Sequence, residues 1–286
     1  MKIKKKILVI PSWYPNKEGT SGGTQFREQS ELLLNRYDVR VLFGKPSELS
    51  LLKLFTKFES KHAGKLRQEA TQSGLLEYRF DYKSWFKDER RQTGAMIEAY
   101  KQALYWILSS GWKPDLIHAR CTDPAGIIAS YLARYLKIPW VLSEHQVFAL
   151  GNHSEYYSKL IRRSIESATR VTVVSQHQLR CITTNFIYRP MIVLGNLVDE
   201  EKFPLAQPIK EKIAFKILSV MYPGRIKDPE TFFKAINSLL NRGHTDIEVT
   251  IIGKELFTEN NVDKFIQLAS KYQVSEVCRF IPYVPH

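Results

Sequence analysis

The chain has 286 residues, 44% of them apolar, which is enough for two ordinary domains that each bury a core and excludes a disordered polymer. Lys and Arg outnumber Asp and Glu by 42 to 29, a formal charge of +13 that favours an anionic partner: a phosphate ester, a lipid surface or nucleic acid. Three widely spaced cysteines, Cys121, Cys181 and Cys278, form no CxxC pair and no disulfide framework, so a reducing compartment is expected.

The opening MKIKKKILVIP is basic and then apolar only from Ile7 to Ile10, too short for a signal-peptide core. No stretch approaches the roughly 18 to 20 apolar residues of a membrane span. A cytoplasmic protein is expected, with room for peripheral contact at the inner face of a membrane. Strand-like runs then follow at Lys6–Ile10, Val39–Leu42, Leu116–His118, Trp140–Ser143, Val171–Ser175 and Ile192–Leu194. Between them fall helical patterns at Gln25–Leu34, Ala95–Ser109, Gly126–Leu136 and Tyr156–Ser167. That rhythm predicts βαβ units wound into a parallel sheet covered on both faces. The stretch DEEKFPLAQPIKEK reads as a linker. The rhythm restarts with strands at Lys216–Val220, Glu248–Ile252 and Arg279–Tyr283 and helices at Pro229–Leu240 and Asn261–Tyr272. The expectation is one complete domain over residues 1–203 and a second over 204–286 that stops after its third strand.

Two stretches depart from plain βα alternation. PSWYPNKEGTSGGTQFREQ places Gly19, Gly22 and Gly23 between the first strand and the first helix. Glycines there serve either a sharp turn or the close approach of backbone to a ligand at a helix N-terminus. Between Lys45 and Arg91, Lys53, Lys57, Lys61 and Lys65 recur every fourth residue beside Leu51, Phe55, Phe58 and Leu66. On a helix these make a basic stripe next to an apolar one, suited to an anionic membrane surface or simply to water.

The ordered set PSWYPN…GTSGGTQFREQ, PDLIHAR, AGIIASYLARYLKIPWVLSEH, ATRVTVVSQHQL, GNLVDEEKF and ILSV…KDPETFFKAI resembles the family 4 glycosyltransferases along nearly the whole chain. The resemblance implies an α/β GT-B fold, one complete Rossmann-like parallel-sheet domain followed by a truncated second Rossmann-like domain. In such enzymes the first domain receives the acceptor and the second the nucleotide sugar. It implies a retaining transferase that moves a sugar from a nucleotide sugar to a glycan or lipid-linked acceptor of surface-polysaccharide assembly, with no metal and no cofactor. It places Gly22 and Gly23 beside the donor diphosphate and the acceptor, and His145 against the donor sugar. Lys227 falls on the diphosphate, where growing negative charge must be stabilised. Members commonly carry an Arg upstream of that Lys; here Tyr222 holds the position and Arg225 stands nearer, as a substitute. Gly22, Gly23, His145 and Lys227 are expected to converge on one crevice. Glu144 either orients His145 or points into solvent, and His118 reads as a structural histidine. Ser175 and Asn196 lie in family-like segments that capping and turn roles also explain.

The spaced pair of glutamates that these enzymes carry late in the second domain falls beyond the end of the sequence. Glu69 and Glu77 have that spacing but sit in the first domain and read as coincidence. A catalytically inactive chain acting as a binding or partner module is therefore the alternative. Nucleic-acid binding rests on charge alone, without a zinc pattern, an RNP-like aromatic set or a helix-turn-helix, and is not expected.

Overall fold

The computed structural model describes residues 4–15, 22–47, 63–84, 87–146, 150, 153–185, 187–201, 203–205, 214–254 and 262–284. Two compact units divide between Val198 and Asp199.

The first unit is built on an eight-stranded sheet. β1 (Lys6–Pro11) lies inside it, flanked on one side by β2 (Asp38–Ser47), β4 (Leu76–Lys83) and β3 (Arg67–Ala70). On the other side follow β5 (Leu116–Arg120), β6 (Trp140–Glu144), β7 (Arg170–Val173) and β8 (Ile192–Val193). All neighbours run parallel except β3, which is antiparallel to β4. Successive side chains of a strand point to opposite faces, so each apolar strand demands cover on both. Ile7 and Val9 pack with Phe26 of α1 (Thr24–Leu33). Leu8 and Ile10 join a second cluster with Tyr100 and Leu104 of α2 (Glu89–Ser109), Ile128 and Leu132 of α3 (Ile127–Leu136) and Ile161 of α4 (Glu155–Ser167). Phe26 has no exposed surface, and burying a side chain of that size contributes about 1.5–3 kcal/mol toward holding α1 on the sheet.

Caps set several boundaries. α2 begins at Glu89, before the expected Ala95, because the Asp88 side chain accepts from the Arg91 amide at 2.8 Å. β7 ends at Val173 because Ser175 caps α5 (Gln176–Thr184), accepting from the Gln178 amide at 3.2 Å.

The departure between Lys45 and Arg91 contains the β3–β4 hairpin, which pairs Glu69 with Glu77. Lys53, Lys57 and Lys61 lie outside the described residues. The fourth member of the expected stripe, Lys65, is exposed in an extended segment and not on a helix. The cause is local: Ala63, fully buried, bridges Tyr82, and the Gly64 amide donates to the Asp81 carbonyl at 2.8 Å, so the chain runs along β4.

The second unit has a parallel sheet in the order β11 (Cys278–Ile281), β10 (Ile247–Ile252), β9 (Phe215–Val220). Phe233 and Ile236 of α6 (Pro229–Asn241) and Phe265 of α7 (Asp263–Lys271) pack with Val249 and Ile251 of the central strand.

Candidate active site

The order of the large sheet reverses at β1. The chain proceeds from β1 to β2 and β4 on one side and then returns to place β5 on the other, so the carboxyl ends of β1 and β5 mark the switch point. Ligands of open α/β sheets gather at such switch points. Here the glycine loop follows β1, and Arg120 ends β5, its carbonyl accepting from the Ser12 amide at 3.1 Å.

Gly23 stands immediately before α1 with φ of 103°. A Cβ on it would lie 2.9 Å from the Trp13 carbonyl oxygen and 3.0 Å from the Tyr14 Cα, so both the turn and the close backbone approach require glycine. Gly22 differs: the nearest atom to a Cβ there is Trp13 Cδ1 at 3.9 Å. No side chain of the described residues caps α1, which leaves its positive end available to an anion.

His145 follows β6, and its ring meets the edge of Phe26 with centroids 5.1 Å apart, so α1 brings the glycine loop and the imidazole to one rim. Its Nε2 is buried without a hydrogen-bond partner among the described residues. Burial and the Arg120 charge push its pKa down to about 4, against an opposing contribution from the Asn196 side chain. The imidazole is therefore neutral at physiological pH, fit to give or take one hydrogen bond. Glu144 is neither in solvent nor bonded to the ring. Its carboxylate has no exposed surface and accepts from the amides of His145 at 2.8 Å, Gln146 at 2.7 Å and Thr122 at 2.8 Å, and from the Thr122 hydroxyl. It fixes the backbone after β6 and ties it to the turn after β5. Burial raises its pKa despite these bonds. Asn196 also accepts from Gln29 of α1 at 3.4 Å, while Ser175 acts as a helix cap. His118 is structural as expected: its Nε2 meets the Ser143 hydroxyl at 2.8 Å and burial lowers its pKa.

Two features of this rim escaped the sequence. Arg120 is only 6% exposed, donates from Nη1 to Gln29 Oε1 at 2.7 Å, and has an Nε with no partner among the described residues. Burial lowers its pKa to about 10, so it remains a cation at the switch point. An arginine closing an apolar strand was the available signal. The other is Glu77, 3% exposed, which accepts from Tyr14 at 2.8 Å, from Arg27 Nε at 2.8 Å and from Arg79 Nη2 at 2.7 Å. Tyr14 precedes the glycine loop and Arg27 follows it, so one carboxylate on β4 pins both of its ends.

In the second unit, Arg225 and Lys227 are exposed in the turn after β9, just ahead of α6. The Lys227 amide donates to the Gly224 carbonyl at 3.0 Å, and Asp228 caps α6 by accepting from the Thr231 amide at 3.2 Å. No described residue forms an ion pair with either cation. Among the described residues no three His, Cys, Asp or Glu side chains form a metal-binding group, and no helix is long and apolar enough to cross a membrane.

Two parallel α/β units are the architecture of the GT-B fold, and solved structures of that fold match this chain. HepE of Anabaena, solved with UDP and glucose, is 13% identical, with 98% of this chain and 70% of that one covered at a TM-score of 0.61. A glycosyltransferase of Rickettsia africae is 15% identical over 98% and 69%, with a TM-score of 0.65. The lipopolysaccharide outer core galactosyltransferase WaaB is 13% identical over 98% and 68%, with a TM-score of 0.56. No match was found among curated protein sequences. The sequence profile of Glycosyltransferase Family 4 matches residues 58–202, and the chain belongs to that family.

Proposed function

We propose that this protein transfers a sugar, with retention at the anomeric carbon, from a nucleotide sugar to a hydroxyl of a glycan or glycolipid acceptor in surface-polysaccharide assembly. The observation that carries the reading is the rim of the first unit, where the α1 N-terminus, which no described side chain caps, neutral His145 and buried Arg120 meet at the switch point. The acceptor oxygen forms a bond to the anomeric carbon as the bond from that carbon to the diphosphate oxygen breaks. The acceptor proton leaves with the departing diphosphate. Charge grows on the diphosphate, and in the first unit amides near Gly22 and Gly23 oppose it; in the second unit Lys227 and Arg225 are exposed cations suited to the same task. His145 hydrogen-bonds the donor sugar and orients it. HepE, solved with UDP and glucose, and WaaB, a galactosyltransferase of lipopolysaccharide, support the donor and acceptor classes. A glycolipid acceptor brings the enzyme to a membrane, and the excess of 13 positive charges favours an anionic one.

The test is incubation of the purified chain with labelled nucleotide sugars and lipid-linked acceptors. Transfer of label with release of nucleoside diphosphate, reduced at least about a hundredfold in Lys227→Ala, is expected, since a missing transition-state donor costs about that much. Absence of transfer across the panel, with no nucleotide-sugar binding, overturns the reading.

A further inference from the structure

The same rim of the first unit carries a cavity of about 300 Å³ that the donor chemistry above does not use. Its walls come from four places at the carboxyl end of the sheet: Tyr82 near the end of β4, Asp123 and Pro124 in the turn after β5, the first turns of α2, and the start of α4. It is coupled to the His145 segment through the Thr122 amide, which the Glu144 carboxylate accepts at 2.8 Å and which immediately precedes Asp123. A separate cavity of about 500 Å³ opens beside Trp140 at the start of β6, the opposite end of the sheet, and is lined by Arg134, Lys137 and Arg163.

The groups facing the smaller cavity have a definite chemistry. The lining includes the carboxylates of Asp123 and Glu89 and the amide of Gln92, with the Glu89 carboxylate also accepting from the Ser154 hydroxyl and the Thr93 hydroxyl donating to the Glu89 carbonyl at 2.8 Å. His153 and Tyr157 stack with ring centroids 5.3 Å apart and form an aromatic wall. The Tyr157 hydroxyl donates to Asp123 Oδ1, and Asp123 Oδ2 lies 3.9 Å from His153 Nε2, so the carboxylate is held in place. Among the described residues no lysine or arginine lines the cavity, in a chain of net charge +13. Carboxylates accept from hydroxyl groups, an amide both gives and accepts, and aromatic rings cover the C–H face of a saturated ring. A few convergent polar groups on a concave surface of this size are what a monosaccharide-sized ligand needs. An anionic ligand meets two like charges, and no lysine or arginine of the described lining offsets them.

We propose that this cavity seats the glycosyl unit of the acceptor, and that this unit is an uncharged pyranose rather than a uronate or a sugar phosphate. The inference rests on the transferase reading and narrows the substrate at its acceptor side. It assigns Asp123 and Gln92 to the hydroxyl groups of the acceptor sugar and the His153–Tyr157 pair to its ring face.

The experiment measures binding of methyl hexopyranosides of gluco, galacto and manno configuration, and of the corresponding hexuronosides, to the whole chain by saturation-transfer NMR. UDP-glucose is titrated separately. At least one hexopyranoside is expected to bind, with its hexuronoside about tenfold weaker or more. Asp123→Asn is expected to weaken the hexopyranoside about tenfold, as for loss of a charge-assisted hydrogen bond. Gln92→Trp, which fills the cavity from an exposed helix position, is expected to abolish binding without unfolding the protein. A hexuronoside that binds as well as the hexopyranoside, or a hexopyranoside unaffected by Gln92→Trp, overturns the proposal. So does a panel that fails to bind while UDP-glucose binds normally, a result that leaves the transferase reading intact.

Discussion

Replacing Gly23 with alanine forces an L side chain into a backbone with φ of 103° and drives a methyl group to 2.9 Å from the Trp13 carbonyl oxygen. The left-handed conformation alone costs about 1–2 kcal/mol. The contact adds to that, because two of the atoms in the way are backbone of Trp13 and Tyr14 and the third, Trp13 Cδ1 at 3.0 Å, belongs to a rigid ring and not to the end of a flexible side chain. A total of about 2 kcal/mol or more follows, which in a unit of this size lowers Tm by roughly 4–8 °C. Gly22→Ala is the internal control: its methyl meets no atom of the described residues nearer than 3.9 Å, so Tm is expected to stay within about 1 °C. If the loop admits a diphosphate closely, the same Gly22→Ala variant weakens UDP-glucose binding while leaving the fold intact. Thermal denaturation followed by circular dichroism, beside calorimetric titration with UDP-glucose, separates the two effects. A Gly23→Ala protein as stable as the parent refutes the assigned turn. A Gly22→Ala protein that binds nucleotide sugar normally refutes the role of the loop.

Glu77→Ala leaves Arg27, Arg79 and the Tyr14 hydroxyl without their shared acceptor and is expected to destabilise the chain by about 3–5 kcal/mol in urea denaturation. His145 should titrate near pH 4 by imidazole NMR, and Arg120→Gln should raise that value because the guanidinium charge helps to depress it. The sign of the linkage follows: with the folded pKa below the unfolded one of about 6.5, the unfolded chain takes up the proton first, so stability is lost as pH falls from about 6.5 toward 4. Gly253→Ala, whose methyl would lie 1.7 Å from the Met221 carbonyl oxygen at φ of 150°, is expected to destabilise the second unit, read as early loss of hydrogen-exchange protection in β9 and β10.

Period and punctuation carry local information, and the elements they govern were legible. Apolar runs such as Lys6–Ile10 and the Pro at the start of α6 placed strands and helices within a few residues. The α/β class followed from their alternation. Glu77 was not legible as a clamp because its partners Tyr14 and Arg27 lie 63 and 50 residues earlier, and only the β4–β2–β1 order brings them together. Its neighbour across the hairpin, Glu69, made the pair look like a chance spacing. Glu144 was ambiguous for a similar reason: its partners are backbone amides after two different strands, which no side-chain pattern announces. The lysine stripe shows the limit of helical spacing as a warrant. Lys65 fits the period, yet pairing of Ala63 with Tyr82 decides the local conformation. The 300 Å³ cavity was equally hidden, since it is assembled from β4, the turn after β5, α2 and α4.

The most direct measurement is a heteronuclear NMR titration of the labelled protein with UDP-glucose, following the Gly22 and Gly23 amides, the His145 imidazole and the Arg120 guanidinium. These resonances are expected to shift together, along one saturation curve. Saturable binding that moves none of the four contradicts that expectation.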